Sequence, residues 1–144
     1  MIRAQFVVAL VMLVSAAADA AVTRIEVQRR EVFAGAGFGN TGAYERIVGR
    51  FYGELDPEHP MNRDIVDIGL APRNSRGRVE YRADLDLVKP LDMSKGNGAL
   101  LYDVNNRGNK LFYGLNGSPP GTANNPTTAA DAGDAFLMNQ GYAI

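Results

Sequence analysis

Between positions 79 and 87 apolar and polar residues alternate without a fault, Val79, Tyr81, Ala83, Leu85 and Leu87 against Glu80, Arg82, Asp84 and Asp86. A repeat of two places one set on each face of an extended chain and has no helical counterpart. The segment therefore reads as a β-strand with core on one side and water on the other, where Asp84 and Asp86 serve solubility and register. Pro90 ends it. Residues 22–33 follow the same rule, with Ile25 and Val27 set between Arg24, Glu26 and Gln28. Residues 44–55 fit two periods: Ala43, Ile47, Phe51 and Leu55 recur as on a helix face, while Ile47, Phe51 and Leu55 also alternate with Arg46, Arg50 and Glu54. Gly49 and Gly53 decide for strand, since each interior Gly costs a helix about 1 kcal/mol.

The segments between these strands are turn-rich. Gly35, Gly37, Gly39 and Gly42 make a loop, and Asp56-Pro57 with His59-Pro60 makes a turn, because each proline restrains the residue before it and removes a donor. Residues 99–104 form a compact apolar run without alternation, the signature of a strand buried on both faces. Residues 105–126 are rich in Asn, Gly, Pro and Thr, and a loop of this length within a domain is usually functional or disordered. Thr128 with Asp131 resembles a capping box, which predicts a helix over residues 128–140, stopped by Gly141, before a further strand begins at Tyr142.

The first twenty residues stand apart. Arg3 precedes an apolar run over residues 6–14, and Ala18-Asp19-Ala20 places small residues where a signal peptidase reads them. The run is too short for a stable membrane span, which needs about 20 apolar residues. Residues 1–20 are therefore expected to be a signal peptide, cleaved after Ala20, and residues 21–144 the folded, exported part. Cleavage removes Arg3 and Asp19, one charge of each sign, and leaves the net charge of -1 unchanged. At 144 residues the chain has room for one domain, and its 46% hydrophobic and 22% charged composition is ordinary for a globular one. The near-neutral balance gives no general attraction to nucleic acid or anionic lipid.

Chemistry is limited by what is missing. There is no Cys and one His, so thiolate metal sites and Cys nucleophiles are excluded and one imidazole must serve any base. His59 lies between Glu58 and Pro60, the setting of an exposed turn. A nucleophile-elbow hydrolase runs Ser, acid, His along the chain, yet only Ser15 precedes His59, and it leaves with the signal peptide. Ser75, Ser94 and Ser118 lack the Gly two places before them. No catalytic residue is assigned in this chain. Gly37, Gly39 and Gly42 match the spacing of a dinucleotide fingerprint, but that motif needs a buried strand before it and a helix after it, and neither is expected; no cofactor and no metal ligand are assigned.

Several stretches together resemble the secreted or periplasmic bacterial alpha/beta hydrolase domain-containing proteins. They are Gly42-Ala43-Tyr44-Glu45-Arg46 with Gly49-Arg50, Asp56-Pro57, Ile65 and Asp67 through Ala71-Pro72-Arg73-Asn74, Gly77-Arg78-Val79, Asn106-Arg107-Gly108-Asn109-Lys110, and Gly133 with Phe136-Leu137 and Gly141-Tyr142. The resemblance implies an α/β fold, in which a β-rich antiparallel part leads into the start of a hydrolase sheet that this chain leaves incomplete. Residues 99–104 would be an early central strand. The loop behind it would supply one oxyanion-hole N–H, which makes Asn105, Asn106, Arg107 and Gly108 the candidate residues. It implies a serine esterase or amidase acting on a small-molecule ester or amide, with nucleophile, acid and His outside this sequence. The alternative reading is an exported β-rich module that binds a sugar or peptide through Phe112, Tyr113 and Tyr142.

Overall fold

The computed structural model describes residues 20–118 and 124–144, with the side chains of Ala36, Phe112 and Tyr113 outside the description. The expected signal peptide lies almost wholly outside the described residues. Three strands, β1 (Ala20–Phe38), β2 (Gly42–Leu55) and β3 (Val79–Pro90), form an antiparallel sheet in that order. The strands fall where alternation put them. β1 also absorbs most of the expected glycine loop, so that only residues 39–41 turn between β1 and β2, closed by Thr41 N–H donating to Phe38 O at 3.1 Å. A strand follows those glycines, which removes the helix a dinucleotide site would require.

The α/β expectation is overturned. The described chain is an antiparallel sheet with one α-helical turn, α1 (Phe136–Asn139), among short 3-10 turns. Two elements account for the difference. Thr128 and Asp131 do cap a helical start, with Asp131 Oδ2 accepting from the Thr128 N–H at 2.7 Å and from its hydroxyl at 2.9 Å. Yet the chain turns left-handed at Gly133 and Ala135 (φ 58° and 57°), so the expected helix over 128–140 splits into the 3-10 turn Ala129–Ala132 and α1. Residues 99–104 are not a buried central strand: Leu100, Tyr102 and Val104 are exposed, and a single parallel bridge joins Leu100 to Ala143. Ile144 in turn exchanges both backbone hydrogen bonds with Val88, at 2.8 and 2.9 Å.

Register fixes what each face of the sheet carries. Tyr44 lies opposite Phe33 and Pro90, Arg46 opposite Glu31 and Val88, and Val48 opposite Asp86. Directly opposed residues share a face. On this first face Phe33, Tyr44 and Val88 pack with Phe38, Leu137 and Met138 to form the core. Tyr44 is fully buried, and its hydroxyl lies 3.0 Å from both Met138 O and Tyr142 O, tying the C-terminal segment onto the sheet. The other face carries Ile25, Val27, Phe51 and Leu85, with Ile25 opposite Phe51 and Leu85 opposite Gly49. The face that alternation marked as core is therefore the more open one, with Ile25 58% exposed although Ile47 at its other end is 6%, while Val88, on the opposite side of β3, is 1% exposed.

Candidate functional site

Asn105 to Gly108, the expected oxyanion loop, is an exposed tight turn. Asn106 and Asn109 exchange two backbone hydrogen bonds of 3.0 Å, and Arg107 and Gly108 between them both have positive φ (53° and 78°). Two left-handed residues inside a two-residue hairpin loop are the type I′ arrangement, which suits this Asn-rich sequence. The turn stands on a well-built base. Asn124 accepts from the Lys110 N–H at 3.0 Å and donates to Asn109 Oδ1 at 3.0 Å.

From that base Lys110 Nζ reaches Asp86 on β3. Asp86 also receives a two-pronged bond from Arg46 on β2, Nε to Oδ1 at 2.8 Å and a terminal nitrogen to Oδ2 at 2.7 Å. The other terminal nitrogen of Arg46 donates to Pro126 O at 2.7 Å and Asn125 Oδ1 at 3.0 Å, and it lies 3.7 Å from Glu31. Arg46 is 2% exposed. A planar guanidinium can satisfy a carboxylate and a carbonyl at once, so Arg46 ties Asn125 and Pro126 to the sheet while Lys110 ties the base of the turn to the same Asp86. Sequence reading placed Asp86 on a solvated face and missed Arg46 and Lys110. The available signal was the run of opposite charges on alternate positions of β2 and β3, which only register could convert into a pair.

These carboxylates are electrostatically set. Burial alone pushes the Asp86 carboxyl up, but the hydrogen bonds and charges of Arg46 and Lys110 outweigh it and hold the group below its ordinary value. The backbone N–H groups of Thr127 and Thr128 do the same for Asp131. Burial pushes the Tyr44 phenol up to about 12. Lowered carboxyls stabilise the fold only above their unfolded values, near 3.9, and lose that contribution as pH falls through the folded ones. The raised phenol acts oppositely, contributing in full below about 10 and losing it as pH rises toward 12. Melting temperature across pH should therefore fall at both ends. In an Asp131→Asn variant the acid limb should shallow; an unchanged acid limb would remove Asp131 from this account.

The chemistry-bearing residues are otherwise occupied. His59 Nδ1 accepts from the Met61 N–H at 3.3 Å as the cap of the 3-10 turn Pro60–Asn62. Ser94 Oγ donates to Asp92 at 2.6 Å and Ser118 Oγ to Asp131 O at 2.8 Å. Among the described residues no cluster of His, Asp and Glu could hold a metal ion, and no helix is long and apolar enough to cross a membrane. Of the aromatic contacts expected for a binding module, Tyr142 is half-buried beside the core, and the side chains of Phe112 and Tyr113 lie outside the described part. An apolar depression of ≈ 260 Å³ lies beside the tight turn, lined by Leu101, Tyr102, Asp103, Leu111 and Leu115. Leu111 N–H donates to Asp103 Oδ2 at 2.7 Å and holds its two walls together.

What fold and geometry define is a twisted three-stranded antiparallel sheet with one face locked and the other open. Compared with protein-family models, curated proteins and solved structures, the chain has no match.

Proposed function

We propose that this chain is a sheet module of an exported hydrolase of ester or amide bonds, and that it works by holding other polypeptide, the nucleophile, acid and His lying in sequence other than this. The observation that carries the reading is the division of the sheet. One face is locked by the Arg46 cluster and the core, and the other leaves Val22, Ile25, Val27 and Val32 at least half exposed. Contiguous apolar surface of this kind marks an interface rather than a reaction centre. The ordered motifs around Tyr44, Arg73-Asn74 and Asn106-Arg107-Gly108 support the hydrolase part, and the structural occupation of His59 and Ser94 supports placing the chemistry elsewhere. Without a nucleophile no acyl-enzyme forms.

The test is hydrolysis of p-nitrophenyl esters by the purified chain, beside a polypeptide extended through the downstream reading frame. Turnover should sit at background for the chain and saturate for the extended protein. Saturable turnover by the chain alone, reduced by Arg107→Ala, would reverse the assignment.

A second reading, an exported module that binds a peptide or sugar, is favoured by the depression beside Tyr102, whose ring is 78% exposed. Calorimetric titration with apolar peptides and oligosaccharides separates the two: saturable heat that Tyr102→Ala abolishes, with no hydrolysis by the extended protein, selects the binding module.

A further inference from the structure

We propose that the channel between β3 and residues 100–104 is a slot one strand wide, and that it takes an extended polypeptide segment through main-chain hydrogen bonds on both sides. The mouth of the slot shows the mode. Ile144 exchanges both backbone bonds with Val88, at 2.8 and 2.9 Å, while Ala143 donates to Ala99 O at 3.0 Å and accepts from the Leu101 N–H at 2.7 Å. The two flanks there stand two strand spacings apart, about 9.6 Å, with one strand between them. Beyond the mouth the flanks are held by neighbouring residues of one segment, Lys110 Nζ on Asp86 and Leu111 N–H on Asp103. Arg73, bridged to Val79, marks the far end. From Leu87 back to Arg82 the slot offers about 20 Å, the length of about six extended residues.

Backbone direction sets what the slot presents. Alternate residues of an antiparallel strand point both main-chain groups at the same neighbour, and β3 pairs with β2 without a shift of register. Since Val88 points away from β2, so do Asp86, Asp84 and Arg82, toward the slot. On the opposite flank the Leu101 carbonyl faces the slot on the side where its N–H meets Ala143. The side chains agree. Continuing the opposition of Ile144 to Val88 and of Ala143 to Leu100 sets Leu87 level with Tyr102, and Leu85 level with Val104, on one face of the slot. Both flanks are apolar on that face, and Tyr102 and Val104 stand exposed. The occupant this selects is a lone strand with apolar residues at alternate positions, to meet those two pairs, and polar residues between them on the side of Asp84 and Asp86. A second copy of β3 does not fit, because its other edge is already paired to β2 and a slot bounded on both sides has no room for the rest of that sheet.

The probe is a capped peptide of about six residues, alternating Val and Thr, titrated against the purified chain and followed by NMR-detected amide exchange. Binding should saturate and slow exchange at Asp84 and Asp86 about tenfold or more, while Leu85, whose N–H points to β2, keeps its rate. N-methylation of the Thr residues removes the donors to β3 and that of the Val residues the donors to Leu101, so each should weaken binding about tenfold. Tyr102→Asp, and independently Val104→Asp, should weaken it by about as much without lowering the melting temperature, because both side chains are exposed. Val66→Asp, in an exposed loop, should leave it unchanged. No saturable binding overturns the inference. So does unaltered binding by either N-methylated peptide, which a peptide lodged only in the depression beside Tyr102 would show. A sedimenting dimer that slows exchange at Asp84 and Asp86 without peptide also overturns it, since a second copy would then hold this edge. Ester hydrolysis is a separate readout: a failed peptide titration leaves the hydrolase reading untouched, and background hydrolysis by the extended protein leaves the slot untouched.

Discussion

Asp86→Ala should cost the fold about 3 kcal/mol, the low end for breaking a buried ion pair, because Arg46 and Lys110 both lose the carboxylate they share. Arg46, 2% exposed in the intact fold, would keep Asn125, Pro126 O and a more distant Glu31 as acceptors, and Lys110 would lose its Asp86 carboxylate. The loss is therefore larger than that of one hydrogen bond. Asp84 is the internal control: it sits two residues earlier on the same face, paired to Arg50 at 3.2 Å, but its side chain is 91% exposed. Its replacement by Ala should stay within about 0.5 kcal/mol, since solvent screens such pairs. Urea denaturation of both variants decides the matter, and equal midpoints would mean that the Arg46 cluster does not hold the sheet. Proteolysis supplies a second readout, as Asp86→Ala should speed cleavage at the turn around Lys110 that Asp86 holds.

Val88→Asp should unfold the domain, while Leu85→Asp should be tolerated. Val88 is 1% exposed and packs with Phe33, Tyr44, Met138 and Ile144, so an Asp there loses about 2 kcal/mol of transfer and forces a carboxylate into the apolar cluster, where it also competes with Asp86 for Arg46 across the sheet. Leu85 lies half-buried on the open face, and its replacement should cost about 1 kcal/mol, half of a full burial. Circular dichroism and thermal melting of the two variants would show which face of β3 is the core. A collapse of Leu85→Asp with Val88→Asp intact would return the core to the side the alternation marked.

Much of this was legible. The strands from Val22 to Phe33, Tyr44 to Leu55 and Val79 to Leu87 follow from period two, and the stop at Pro90 from its missing donor. The turn role of His59 and the cap between Thr128 and Asp131 also follow from local chemistry, since each depends on neighbours within a few residues. Sequence and structure part where contacts are distant. Residues 99–104 look like a buried strand because they are apolar, but burial depends on what packs against them, and Leu100, Tyr102 and Val104 are exposed. The helix expected over 128–140 was broken by Ala135, a good helix former held left-handed (φ 57°) between Asp134, whose N–H donates to Asn116 O at 2.8 Å, and α1, where Leu137 N–H donates to Asn116 Oδ1 at 2.9 Å.

Sequence alone determined the three alternating strands and the two sets of side chains that each of them shows, because alternation is a property of the backbone's own two-residue repeat. It could not choose between the sets. Tertiary structure made that choice by folding the C-terminal segment over Phe33, Tyr44 and Val88, where the face otherwise lined by Arg24, Glu31, Arg46 and Asp86 turns apolar at one end. Cross-strand register then converted charges that look solvated one strand at a time into the buried Arg46–Asp86 pair, since opposition across a sheet depends on where two distant segments meet and not on the composition of either.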